Sequence, residues 1–370
     1  MATIRDVAKA AGVSTATVSA VMNDTAYVSP ELRSRVQAAI EALDYAPSTV
    51  ARNLKRGKSQ LIAVSVADLS NPFFSHIVCL AEAAAAAWGY SLVVFNSDEK
   101  TEAEKRILGR IRALSCDGIL LVPVGEAAQH LQRDLAGRTI PTVMFGRVVD
   151  DRRSDTVTID NESAGRQATN YLLDLGHRRI GSISGPLHLT TGKGRYDGMM
   201  QALQARGVTP LPHHIRPGDF REGAAYSVAR EMLERPDRPS ALYVANGVMA
   251  LGVMRAVADL GLRCPEDISI ASTDTIPGIS GLRPRFTRTE HPINDMINEA
   301  FHMLVGRINS SAPPTPRNVV FQPTLVVGES CAPLIIEPAF LNCVRAHGRS
   351  PVTSILSCFD FPALMSKRWI

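Results

Sequence analysis

The sequence predicts two architectures in one chain: an N-terminal all-α headpiece built on a helix-turn-helix, and a larger α/β core of parallel sheets flanked by helices. Three observations predict this. Residues Thr3 to Asn23, TIRDVAKAAGVSTATVSAVMN, hold two short helical patterns on either side of Gly12. From Leu61 onward the apolar period changes to short, near-continuous runs with helical patterns between them, the form taken by strands buried on both faces. Charge divides the chain in the same place: residues 1–60 carry eight Lys/Arg against five Asp/Glu, residues 331–370 four against two, and the body between them 28 against 29. A basic end on a neutral body suits an end that touches phosphates.

A chain of 370 residues, 45% hydrophobic and 21% charged, is long enough for two or three domains with real cores. Arg5, Asp6 and Lys9 interrupt any apolar leader, and no window approaches the ~18 apolar residues of a membrane helix. The small-residue run Leu80 to Trp88 contains Glu82 and reads as a buried helix. Cysteines 79, 116, 264, 331, 343 and 358 show no metal or disulfide spacing. A reducing cytoplasm and no membrane partner are therefore expected.

In the headpiece, Thr3 caps a first helix and Asp6 completes a capping box. Ile4, Val7 and Ala8 recur at helical spacing, and Ala11 closes that face. Gly12-Val13 supplies the turn and Ser14 caps the second helix, on which Val18 and Val21 face inward. Two helices joined in this way form a helix-turn-helix, whose second helix enters the DNA major groove. Such pairs are also common as plain packing, but here short polar residues gather where base edges are read. Thr hydrogen-bonds to base edges, and Ala or a Thr methyl packs on a thymine methyl. Thr15, Ala16 and Ala20 are thus the base-reading candidates, with Thr17, Ser19, Asn23 and Ser29 nearer the phosphates. Ser29-Pro30 reads as N-cap and N1 of a third helix striped by Leu32, Val36, Ala39, Ile40 and Leu43. Pro47 breaks the chain, Ser48 to Arg56 is a short helical candidate, and Lys55-Arg56-Gly57-Lys58 leads to the body. A headpiece over 1–46 and a short helical and linker segment over 47–60 follow.

In the body, the runs LIAVSVADL, YSLVVFNS, GILLVPV, TVMFG and VTID continue as Ile180 to Ser184, Ala241 to Ala245 and Ile268 to Ser272. About 270 residues of this pattern are generous for one sheet and comfortable for two. Residues 331–370 carry no leucine heptad of the kind that zips helices together. They are set apart as an extension of unknown structure.

The headpiece wording, followed by Val28-Ser29-Pro30, Tyr45-x-Pro47 and Val50-Ala51-Arg52-x-Leu54, resembles the LacI/GalR family of bacterial transcriptional regulators. The resemblance extends to about residue 330. It implies a periplasmic-binding-protein-like core, 61–330, with two lobes and chain crossings near Asn161, Pro292 and Pro323. It also implies a homodimer on a pseudo-palindromic DNA operator, and a hinge helix that orders on DNA with Leu54 wedged into the minor groove. The bland alternative for that segment is a plain linker. Thr3, Ser14, Val50, Ala51, Arg52 and Lys55 join the DNA-facing set, and Arg56 stands beside phosphate or the minor groove. Three positions depart from the family pattern: Ala20 replaces a bulkier polar residue, Gly247 an aspartate, and Gly328 an arginine.

Within the same resemblance, a small-molecule effector is expected between the lobes. Its candidate contacts are Phe73 and Phe74, one of them expected in the lobe core, then Arg147, Thr191, Arg195, Phe220, Asn246 and Asp274. Sugar hydroxyls both donate and accept, so a guanidinium fork, an amide and a carboxylate make sense together. Arg147 beside Arg195 favours a sugar acid or phosphate, and Leu189 leans against a purine or nucleoside, the alternative effector. Asp160-Asn161 is expected to cap a helix before it contacts ligand. A solute-binding protein would have no use for residues 1–60. An enzyme would need a site that is not visible: GSISG lacks the glycines of a nucleophile elbow, Gly192-x-Gly194 is too short for a dinucleotide fingerprint, and His76, His130, His177 and His188 show no metal spacing. No cofactor is expected.

Overall fold

The computed structural model describes residues 2–45, 58–125, 140–149, 154–274, 276–278, 281, 283–310 and 315–334. The expected helix over Ser48 to Arg56, with Val50, Ala51, Arg52, Leu54 and Lys55, lies outside these residues, as does nearly all of the extension.

The N-terminal helices start and stop where their local chemistry dictates. Thr3 Oγ1 accepts from Asp6 N while Asp6 accepts from Thr3 N at 2.8 Å, so α1 (Ile4–Ala11) opens on a reciprocal capping box. Gly12 ends it at φ +61°, a left-handed conformation in which a side chain is strained. Ser14 caps α2 (Thr15–Asn23) by accepting from Thr17 N at 3.1 Å, and Ser29-Pro30 opens α3 (Pro30–Ala42). Val7, Ala8, Ala11, Val18, Val21, Val36 and Ala39 form the headpiece core. Leu43, expected on the α3 stripe, is instead its exposed C-cap. Arg35, which no apolar pattern singles out, binds the Ala11 carbonyl at 2.6 Å and ties α3 to the end of α1.

The body contains two six-stranded sheets. Sheet 1 runs β11-β5-β4-β3-β1-β2 and is parallel throughout, from β1 (Leu61–Val66), β2 (Ser91–Asn96), β3 (Gly118–Leu121), β4 (Thr142–Phe145), β5 (Asp155–Ile159) and β11 (Asn318–Phe321). Sheet 2 runs β12-β10-β9-β8-β6-β7, from β6 (Ile180–Ser184), β7 (Ile215–Pro217), β8 (Ala241–Val244), β9 (Ser269–Thr273), β10 (Thr287–Glu290) and β12 (Thr324–Val326). Its last edge strand, β12, is antiparallel to β10. Strands β7, β10, β11 and β12 escape the sequence reading because each is only three or four residues long and holds at most three consecutive apolar residues.

Helices cover both faces of each sheet, which accounts for strands without alternation. On lobe 1, α4 (Pro72–Ala87) and α10 (Ile293–Asn309) pack with Ile62, Val64, Leu120 and Phe145 on one face, while α5 (Thr101–Ala113) lies with Ile119, Leu121 and Met144 on the other. On lobe 2, α6 (Asn161–Asp174) and α7 (Thr190–Ala205) bury Tyr243 and Ala271. The opposite face is covered by α8 (Glu222–Leu233) and α9 (Gly247–Asp259) over Leu242, Val244 and Ile270. The chain passes between sheets three times, after Ile159, after Glu290 and after Phe321, beside Asn161, Pro292 and Pro323.

Two readings are corrected here. The stretch Leu80 to Trp88 is not a buried helix: Ala81 and Ala85 are buried, while Glu82, Ala83, Ala86 and Ala87 are exposed and Trp88 is 51% exposed. Alanine suits either side of a helix, so its run carries no information about which faces are covered. Residues 331–334 are also not separate from the core. Cys331 donates to the Ile270 carbonyl, Ala332 O binds His177 Nε2 at 3.1 Å, and Leu334 N donates to Leu175 O at 2.8 Å. No described helix is long and apolar enough to cross a membrane.

Candidate functional site: an inter-lobe cleft and a helix-turn-helix surface

On the headpiece, Thr15, Ala16 and Asn23 are exposed and Thr17, Ser19 and Ala20 half-buried, all on α2. The hydroxyls of Thr3, Ser14 and Ser29 each accept a capping N–H, which places these residues at helix N-termini, where free N–H groups suit an anion. Asn23 donates to Ser19 O at 2.8 Å, holding two of the expected phosphate-side residues on one turn.

The eight expected effector contacts converge. Phe73, Phe74, Arg147, Thr191, Arg195, Phe220, Asn246 and Asp274 all line one cleft between the sheets, about 680 Å³ of empty space including its open mouth. Its polar residues follow the C-terminal ends of strands, where parallel sheets place ligands. Phe74 belongs to the lobe 1 core at 7% exposure, and Phe73 meets it edge-on at 5.4 Å. Asp68, Asn71, Glu99, Arg221 and His291 also line the cleft, and the sequence reading names none of them as contacts.

The lobe 2 wall is built around Arg195. Its Nη1 and Nη2 donate to Asp274 at 3.1 and 3.3 Å, Nη1 also to Ala245 O at 2.6 Å, and Nε to Asn161 Oδ1 at 3.0 Å. His291 Nδ1 lies 3.0 Å from the same carboxylate. Burial alone would raise the Asp274 carboxyl, but the charges of Arg195 and His291 outweigh it and hold it down to about 2. Asp160 is the cap of α6, accepting from Ser163 N at 2.8 Å, which frees Asn161 to orient Arg195. Asn246 Oδ1 caps α9 through Met249 N at 2.9 Å, leaving its amide NH2 as the donor for the cleft. Thr191 Oγ1 is buried with no hydrogen-bond partner.

Arg195 reaches this position because α6 and α7 cross very closely. A Cβ on Gly165 would lie 2.0 Å from the Arg195 carbonyl oxygen, so no side chain fits there. Phe220 is held at φ +55° and Asp274 at +72°, left-handed conformations that cost a non-glycine residue roughly 1–2 kcal/mol each. Arg147 and Arg195 stand over the Phe220 ring, 5.7 and 5.9 Å from its centroid.

Arg147 does not face a ligand as a bare cation. Glu99 grips it through two bonds of 2.7 and 2.8 Å. Arg221 crosses the mouth from lobe 2 to lobe 1, donating to Asp68 at 2.6 Å and to Asp98 at 3.2 Å. Among the described residues, every arginine lining the cleft is therefore paired with carboxylate. The two body departures have steric reasons: Ile276 occupies the space of a side chain at Gly247, and the backbone of Arg285 and Phe286 occupies that at Gly328. Ser330 is structural, since its Oγ accepts from Thr287 N and donates to Ile270 O.

Among known proteins, residues 3–48 match the model for bacterial regulatory proteins of the lacI family, and residues 169–331 match a periplasmic binding protein-like domain. The HTH-type transcriptional repressor PurR of Edwardsiella ictaluri is 37% identical over 314 residues, covering 84% of this chain and 91% of the relative. The ribose operon repressor of Escherichia coli is 36% identical over 310 residues, 83% and 93% of the two chains. Among solved structures, the lac repressor dimer bound to operator and the anti-inducer ONPF superimposes with a TM-score of 0.80 at 28% identity, covering 90% of this chain and 99% of that one. A transcriptional regulator CelR-cellobiose complex gives 0.68 at 30%, covering 89% and 100%. The chain belongs to the lacI family of bacterial regulatory proteins and is a DNA-binding transcriptional repressor.

Proposed function

We propose that this repressor is controlled by a neutral polyhydroxylated molecule, a monosaccharide, bound between its two lobes, and that it acts as a homodimer on a pseudo-palindromic operator. The observation that carries the effector class is the pairing of charge in the cleft. Arg147 with Glu99, Arg195 with Asp274, and Arg221 with Asp68 leave no surplus positive charge among the described residues for a carboxylate or phosphate. This weighs against the expectation that Arg147 favours a sugar acid. What remains is a mixture of donors and acceptors, the Asn246 amide, Thr191 Oγ1 and the open lone pairs of Asp274, beside aromatic Phe73 and Phe220. Hydroxyls satisfy such a mixture because each donates and accepts. Leu189 lies in the lobe 2 core at 4% exposure and offers a nucleobase no polar contact.

A thermal-shift screen against neutral sugars, sugar acids, sugar phosphates and nucleobases tests this. A ligand of the native state raises the melting temperature with concentration. A neutral sugar is expected to stabilise the protein, and the shift should vanish in Asn246→Ala. Stabilisation by a purine or a sugar phosphate alone would replace the proposed class.

On DNA, Thr15, Ala16 and Ala20 read base edges, Thr3, Ser14, Thr17, Ser19, Asn23 and Ser29 sit at the backbone, and Val50, Ala51, Arg52, Leu54 and Lys55 form the hinge contacts. In Lys55→Ala, binding should weaken similarly for all sequences, with a salt slope lower by about 1. A loss confined to one operator sequence would contradict a phosphate contact. Effector and operator, acting through lobe angle and hinge, must change each other's affinity by the same factor.

A further inference from the structure

We infer that lobe 2 carries a binding site for one divalent transition-metal ion of the zinc class, formed by His213, His214 and Asp237 away from the cleft. His213 and His214 lie on the single turn Pro212–His214 that leads into edge strand β7, and Asp237 comes from the connection between α8 and β8. One ligand atom from each lies within 4.8 Å of the others, the one such group among the described residues. The two imidazoles meet edge-on with centroids 4.6 Å apart, and His213 Nε2 stands 2.8 Å from Asp237 Oδ2.

The second observation concerns His214. It is 1% exposed, and its Nε2 is buried with no hydrogen-bond partner, a rare condition for a polar atom in a protein interior. Imidazole binds a metal through an unprotonated ring nitrogen, and a buried nitrogen with no partner leaves that lone pair open. Two nitrogens and a carboxylate suit zinc, which leaves a fourth position to water in such sites. Metal–ligand bonds of about 2.0–2.2 Å place donors roughly 3.3 Å apart. His213 and Asp237 therefore part by about half an ångström to admit the ion. Arg235 opposes the ion, with Nε 3.0 Å from Asp237 Oδ1, but its side chain is 46% exposed and free to turn to solvent. His213 and Asp237, at 36% and 41% side-chain exposure, leave a path for the ion. Phe220 and Arg221 follow three and four residues after β7, so an ion here braces the strand that feeds the cleft mouth.

The test is calorimetric titration of the metal-stripped full-length protein with Zn2+, beside Asp237→Asn and His213→Gln, both on half-exposed positions that fold without the ion. The expected result is one Zn2+ per chain and at least tenfold weaker binding in each variant. Co2+ should give the absorption of tetrahedral nitrogen and oxygen ligands. Absence of binding at micromolar Zn2+, equal affinity in both variants, or a thiolate charge-transfer band that places the ion on cysteine would each overturn the site. The cluster would then be a His–Asp ion pair with a buried neighbour.

Discussion

The two sides of the cleft hold their charges under opposite conditions. On lobe 2, Arg195 and Asp274 are buried, with side chains 5% and 9% exposed, and each has further partners in Asn161, Ala245 and His291. At the mouth, Arg221 reaches across to Asp68 and Asp98; Asp68 is 10% exposed, but Arg221 is 40% and Asp98 46% exposed, so solvent reaches both bridges. Buried charges are weakly screened and strongly coupled, whereas exposed pairs contribute little. The difference teaches how one cleft can be both specific and responsive. Under the proposed function, the wall keeps its shape while the mouth separates at small cost, and the lobe angle changes without dismantling the polar set.

Removing a partner from the rigid wall should have the largest effect. Asp274→Ala leaves Arg195 buried without its carboxylate and should cost about 3–5 kcal/mol, read as a large fall in melting temperature together with loss of effector response. Wild-type stability should show the same pair in acid. The folded carboxyl titrates near 2 and the unfolded one near 3.8, so this contribution is complete above about pH 4 and disappears as pH falls toward 2. A flat stability profile across that window would mean that the pair is not coupled to folding. Next in size is Gly165→Ala, whose added methyl must push α6 from α7. A cost of about 1–3 kcal/mol is expected, along with weaker effector binding as Arg195 shifts. If stability falls but affinity holds, the helix crossing does not position the wall. The smallest change belongs to the mouth. Arg221→Gln should leave the melting temperature within the roughly 1 kcal/mol of an exposed pair, while the effector dissociates a few-fold faster. A loss as large as that of Asp274→Ala would erase the contrast between wall and mouth.

Legibility followed sequence distance. Helix starts at Thr3, Ser14 and Ser29 depend on groups three residues away, and they stand in the structure where the sequence places them. The long apolar strands and their cover on both faces were equally readable, while β7, β10, β11 and β12 were too short to stand out. For the cleft, motif wording brought eight residues to one surface, but their partners stayed hidden. Glu99 lies 48 residues from Arg147, and Asp68 lies 153 from Arg221. His291 had no local signal at all; only its place just after β10, a strand the sequence did not reveal, brings it to Asp274. His213 and His214 were passed over for the same reason, since Asp237 is 24 residues beyond His213.

The sequence by itself determined the two-part architecture, the helix-turn-helix with its caps, and which residue types would meet between the lobes. The first two follow from interactions within a few residues and from the burial pattern of whole strands, and the third from motif wording that resembles a family. Only the tertiary structure decided that each cleft arginine is neutralised, that Asn161 orients Arg195 while Asp160 caps, and that the mouth is bridged from lobe to lobe. A charge takes its meaning from the group that faces it, and folding chooses that group from anywhere in the chain.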